Sequence, residues 1–100
     1  MAELDVTYHS TKPDTWAGTG MLGILPPQIG NKEVLAISGS AANGAAATEP
    51  VLACFLTDVD CRIAVGENVT ATASNSRKIL AGQRDYAQIP RGHRISVIAA

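Results

Sequence analysis

The chain has 100 residues and a mass of 10.4 kDa, which leaves room for one small domain and none for a separate catalytic or regulatory one. Charged residues make up 17% of it and hydrophobic residues 46%, with a net charge of −1, so it is neither a disordered chain nor a histone-like polycation. No apolar run approaches the roughly eighteen residues of a membrane span and the first residues lack signal-peptide features, so we expect a soluble, unprocessed chain.

The hydrophobic fraction overstates how much large apolar surface is available to form a core. Sixteen of the hydrophobic residues are alanine and only four residues are aromatic. A domain of this size buries only about two thirds of the surface of its unfolded chain. We therefore expect it to associate with further copies or with a larger scaffold.

Residues 1–31 predict an extended arm outside the regular sheet. They contain three of the five prolines and four glycines, without a sustained period of 2 or 3.6. An arm this apolar has to lie on its own domain, on a neighbouring copy or on a host surface. We predict an arm over residues 1–32 and a β domain over residues 33–100. The large apolar side chains expected to make contacts outside the body are Trp16, Met21, Leu22, Ile24, Leu25 and Ile29.

The pattern turns to short strands from residue 33. Residues 33–38 predict a strand, and residues 39–50 a flexible loop with the turn dipeptide Asn43-Gly44. Residues 51–57 are apolar on both faces, which predicts a central strand. Residues 62–66 alternate and are predicted to form a hairpin with that strand through the turn at residues 57–60.

The remaining segments continue the β pattern. Residues 68–73 are threonine-rich and extended, and residues 78–81, 85–89 and 93–99 predict strands, the last two joined by a tight reversal at Pro90-Arg91-Gly92. No segment after residue 33 has a helical period. The fold class predicted is all-β, a small sandwich or short barrel with an extended N-terminal arm.

Charge is divided unevenly along the chain. Residues 1–76 contain three basic and eight acidic residues, net −5, whereas residues 77–100 contain five basic and one acidic, net +4. This asymmetry suits head-to-tail contact between identical copies. Strand pairing could equally neutralise it within one subunit. The basic residues predicted for an interface are Arg77, Lys78, Arg84, Arg91 and Arg94.

The sequence contains little that supports an enzymatic active site. The only histidines are His9 and His93, and Gly39-Ser40 lies in a loop without a following helix that could form a nucleophile elbow. Asp58 and Asp60 lie on one side of an extended segment and could hold a divalent cation, but aspartates at this spacing also favour a turn, which is the interpretation we prefer. No catalytic residue, metal or cofactor is predicted.

The two cysteines are too few for a disulfide scaffold or a four-ligand zinc site. The predicted hairpin places Cys54 and Cys61 about two positions out of register, so we expect two reduced, buried thiols. Nucleic-acid binding is not expected, because the basic C-terminal quarter is interrupted and lacks interleaved aromatic residues.

Residues 52–100 resemble the small structural proteins encoded in the late regions of tailed phages and prophages. The resemblance lies in residues 56–66, 70–74, 79–82 and 89–92 and in a closing Ile/Val strand over residues 94–100. It implies a compact β domain that assembles on or beside the virion.

We therefore expect a non-enzymatic phage structural protein, made in the bacterial cytoplasm and located in the virion. The expected role is capsid decoration or cement, as a trimer or other symmetric oligomer on the major capsid protein. Two alternatives stay open: a component of the tail or of the head–tail connection, and a small ligand- or carbohydrate-binding β domain.

Overall fold

A computed structural model describes residues 2–10 and 28–100 of the chain. This part is all-β, with no helix, as the sequence predicts. No helix long and apolar enough to cross a membrane occurs among these residues. The strands are β1 (Glu3–Ser10), β2 (Glu33–Ala36), β3 (Ala42–Asn43), β4 (Val51–Thr57), β5 (Cys61–Glu67), β6 (Arg77–Ile79), β7 (Arg84–Ile89) and β8 (His93–Ala99).

The strands form two antiparallel sheets of four. Sheet A has the order β2-β1-β4-β7 and sheet B the order β3-β8-β5-β6. The core lies between them, because alternate residues of each strand point inward. The largest side chains that are fully buried include Phe55, Leu4, Ile79, Ile89 and Ile95. The fold is therefore a β-sandwich.

The apolar strand predicted at residues 51–57 is confirmed as β4, and it is central in sheet A. It pairs with β1 on one side and with β7 on the other. The strand predicted at residues 93–99 is confirmed with the same bounds as β8, which pairs with β3 and β5.

The expectation that residues 1–31 stay outside the sheet is wrong for Glu3–Ser10. This strand pairs with β4 along nearly all of its length and with β2 over its first four residues, so the β body includes it and does not begin at residue 33. Leu4 and Val6 are fully buried, while Asp5 and Thr7, which alternate with them, are only half-buried. This period of 2 is confined to the start of the segment, and the prolines and glycines that obscure it all follow later.

The predicted hairpin between residues 51–57 and 62–66 is also wrong. β4 belongs to sheet A and β5 to sheet B, so the turn between them crosses the sandwich. The two aspartates of the turn bond to different sheets. Asp58 Oδ1 accepts the backbone N–H of Glu3 in β1 (2.8 Å), and Asp60 Oδ1 accepts that of Ala81, which follows β6 (2.9 Å).

Three smaller predictions concern turns and loops, and only the one for Asn43 is wrong. The reversal after residue 89 exists, with His93 N donating to Pro90 O (3.0 Å), but it leads from sheet A to sheet B. Asn43 is not in a turn. It lies in β3, and Gly44 N donates to Ile95 O (2.8 Å). Residues 68–73 lie outside the strands.

Candidate functional site

The five basic residues predicted for one interface do not share a surface. Lys78 alternates onto the outer face of sheet B and Arg84 onto the outer face of sheet A, while Arg91 lies in the turn between β7 and β8. All three are exposed. Arg77 and Arg94 are engaged within the subunit. The C-terminal charge therefore does not form one basic patch.

Arg77 closes one edge of the sandwich. Its Nη2 lies 2.9 Å from Asp85 Oδ2 and donates to the backbone carbonyl of Tyr86 at 3.3 Å. Tyr86 N donates to the second oxygen, Asp85 Oδ1, at 2.8 Å. Since β7 is the edge strand of sheet A, this ion pair occupies the N–H and C=O of Tyr86, which another strand would otherwise pair with. The charge of Arg77 is therefore neutralised within one subunit, which is one of the two alternatives that the sequence left open.

A strap formed by residues 68–76 crosses the outer face of sheet B. The buried hydroxyl of Ser96 accepts the N–H of Ala71 at 2.8 Å and donates to Asn43 Oδ1 at 2.7 Å. Arg94 Nε donates to Val69 O at 3.0 Å, and Arg62 Nη1 donates to Ser76 O at 3.1 Å. The guanidinium of Arg94 therefore holds the strap in place.

Part of the outer face of sheet A is different, because it exposes large apolar side chains, although His9 and Cys54 on the same face are buried. The exposed fractions are 42% for Val34, 40% for Leu56 and 46% for Tyr86. Leu56 lies in register between Asp5 of β1 and Arg84 of β7. Sequence reasoning missed this surface, although the outward positions of residues 51–57 are leucine and cysteine where a solvent-facing strand would carry polar residues.

Ile29 is 39% exposed and borders a cleft of about 430 Å³ between β1, β2 and residues 45–51. Inside it, the hydroxyl of Tyr8 donates to Glu33 Oε1 at 2.5 Å, and Glu33 Oε2 accepts the N–H of Ala45 at 3.2 Å. Burial, and then the adjoining Glu33 carboxylate, raise the pKa of Tyr8 well above its usual value. The cleft is large enough for a small molecule, but the Glu33 carboxylate in it already accepts two hydrogen bonds.

The other predicted arm residues, Trp16, Met21, Leu22, Ile24 and Leu25, lie outside the described residues.

The two aspartates of the turn after β4 stabilise that turn. Asp58 and Asp60 each accept a backbone N–H, as described above, and Thr57 Oγ1 closes the turn by donating to Val59 O at 2.5 Å. Within residues 2–10 and 28–100, no group of three His, Cys, Asp or Glu side chains is placed to hold a metal ion.

Cys54 and Cys61 are both free and buried, as predicted, and they lie in opposite sheets. Burial raises the pKa of the Cys61 thiol above its ordinary value. His9 is buried on β1 with its Nε2 3.0 Å from Thr7 Oγ1, whereas His93 begins β8.

Comparison of the chain with protein-family models, with characterised proteins and with solved structures gives no significant match.

Proposed function

We propose that this chain is a non-enzymatic structural protein of a phage particle that decorates the capsid surface. The observation that carries the proposal is the length and composition of the connection between β1 and β2. The two strands are antiparallel neighbours, and their last pair is Val6 with Glu33. A turn of about two to five residues, plus the few residues that return along β1 from Ser10 to Val6, would join them. The chain instead places 22 residues, 11–32, between Ser10 and Glu33.

The sequence of this connection supports a binding role. It contains five large apolar residues that a simple linker would not carry: Trp16, Met21, Leu22, Ile24 and Leu25. Connections longer than about 12–15 residues in compact domains are usually either functional or disordered linkers, and the large apolar residues of this one favour a function. We assign to this connection the contact with the major capsid protein. Its two ends are fixed, because β1 and β2 are both paired in sheet A.

The body suits repeated use in many copies. Among the described residues, every buried side-chain nitrogen or oxygen has a hydrogen-bond partner, as expected of a rigid domain. A trimer seated on a threefold position of the capsid would bind through three connections at once, which multiplies a weak individual contact. The protein would be made in the bacterial cytoplasm and incorporated into the virion.

The test is co-sedimentation of purified protein with phage heads and, separately, with tails. The variant replaces the five large apolar residues of the connection by serine and keeps β1 intact. Leu80→Ser is the matched control, because Leu80 is 54% exposed on the body. We expect the wild type and the control to sediment with heads and the variant to stay in the supernatant.

Binding to tails alone would favour the tail or head–tail alternative. Absence of binding to either would overturn the proposal, as would unimpaired binding of the five-residue variant.

The cleft beside Tyr8 and Glu33 favours a second candidate, a small ligand-binding domain. A ligand there would perturb the resonances of Tyr8 in an NMR titration with neutral sugars and amines. Such a ligand should not affect sedimentation with heads, which separates this candidate from the first.

A further inference from the structure

The outer face of sheet A carries a pattern of charge that fits a copy of itself. Leu56 in β4 is flanked at the same level by Asp5 in β1 and by Arg84 in β7. Adjacent strands are about 4.8 Å apart, so the acid and the base lie at nearly equal distances on either side of the leucine. Across these three strands, an acidic, an apolar and a basic side chain therefore lie side by side in one row: Asp5, Leu56 and Arg84.

From this row we infer that two copies of the chain associate face to face through sheet A, about a two-fold axis parallel to β4. Such an axis places Leu56 of one copy opposite Leu56 of the other. It brings Asp5 opposite Arg84 twice, once on each side of the axis. In the next row it places Thr7 opposite the exposed ring of Tyr86, because both lie beside Cys54.

The charges also select the direction of the axis. A two-fold axis perpendicular to the strands would put Asp5 against Asp5 and Arg84 against Arg84, and like charges facing each other oppose association. Only the axis parallel to β4 pairs opposite charges. Sheets stacked in this way keep their strands aligned to within the roughly 30° that sheet twist imposes.

Both charged groups can take part. Within residues 2–10 and 28–100, Asp5 forms one ion pair, Oδ2 to Lys32 Nζ at 3.4 Å, between side chains that are 43% and 57% exposed, and such surface pairs are weak. Arg84 is exposed and forms no ion pair within the described part of the chain. The exposed area of Leu56 and Tyr86 supplies the apolar contact. Val34 does not contribute, because an axis along β4 carries β2 beyond the edge strand β7.

The contact does not depend on the proposed function. It uses the outer face of sheet A, whereas attachment to capsids was assigned to the connection between β1 and β2. The patch is small, so the association should be weak and dependent on concentration. Its signature is a doubling of mass, from one chain to two or from a trimer to six chains.

Charge reversal gives a sharp test by sedimentation equilibrium at up to about 1 mM protein and low salt. Asp5→Arg and Arg84→Asp should each abolish the doubling, because each variant faces its own like charges. Mixed in equal amounts, the two should associate again. The first presents two cations and the second two anions, so both cross-contacts become attractive.

Lys78→Asp makes the same change of charge as Arg84→Asp on the outer face of sheet B, and it should leave the doubling unchanged. Thermal unfolding of each variant checks that it is folded, and the mixture provides a second check because only folded copies can pair. The inference is overturned if the wild type shows no doubling of mass, if Arg84→Asp doubles like the wild type, or if the mixture does not associate. None of these results bears on sedimentation with heads.

Discussion

Removing the hydroxyl of Ser96 should weaken the attachment of the strap, residues 68–76, to sheet B. It should leave the core between the sheets unchanged. Ser96 is fully buried, and its oxygen is the acceptor for the N–H of Ala71, a residue that is itself 2% exposed. Ser96→Ala leaves that N–H buried without a partner, at a cost of about 1–3 kcal/mol. The second bond, to the exposed amide of Asn43, is replaced by water at little cost.

We therefore expect Ser96→Ala to lower the free energy of unfolding by about 2 kcal/mol. For a domain of this size that corresponds to a fall in Tm of roughly 8–12 °C. Calorimetry measures the shift, and hydrogen exchange should show the Ala71 amide losing protection more than the amides of β4. Ser74→Ala is the matched control, because Ser74 is an exposed serine of the same strap. A Tm within about 2 °C of wild type would refute the reasoning.

Three further predictions concern other sites. The pKa of Tyr8 is raised by burial above its ordinary 10.0, so the free energy of unfolding should be constant below that pH and fall above it. Denaturant titrations should show a smaller loss in Tyr8→Phe. Gly44→Ala would place a Cβ 2.7 Å from Glu33 Oε1, so this carboxylate would have to move at the expense of its hydrogen bonds from Tyr8 and Ala45, a cost of about 1 kcal/mol. Gly39→Ala meets no atom within 4 Å and should be neutral in the same titrations. Arg77→Ala should change stability by less than about 1 kcal/mol yet speed aggregation in light-scattering assays, because it frees the carbonyl of Tyr86 on the β7 edge, whereas Lys78→Ala should not.

The sequence predicts those strands that are specified by their own side chains. Residues 51–57 are identifiable as a central strand because both faces are apolar, and residues 93–99 because Ile95, Val97 and polar neighbours alternate. Glu3–Ser10 could have been found in the same way, since Leu4 and Val6 alternate with Asp5 and Thr7. This alternation is short, and the prolines and glycines that follow it dominate the composition of residues 1–31.

The pairing of the strands could not be predicted, because it depends on contacts distant in sequence. A short turn between two strands is compatible with a hairpin or with a crossing between sheets. Here the crossing is fixed by Asp58 bonding to β1 and Asp60 bonding beyond β6, more than twenty residues away in the chain. For the same reason, the sequence could not predict that Asp5, Leu56 and Arg84 lie side by side. These residues are neighbours only after three distant segments align.

The order of the strands has a consequence for how quickly the chain can fold. β4 needs β1 from before it and β7 from well after it, and β8 inserts between β3 and β5. Most pairings must therefore close long loops before they gain contact energy, which places folding in the range of about milliseconds to seconds. Until β7 is available, the apolar strand Val51–Thr57 lacks a partner on one side. During synthesis, this strand is the segment most exposed to intermolecular pairing.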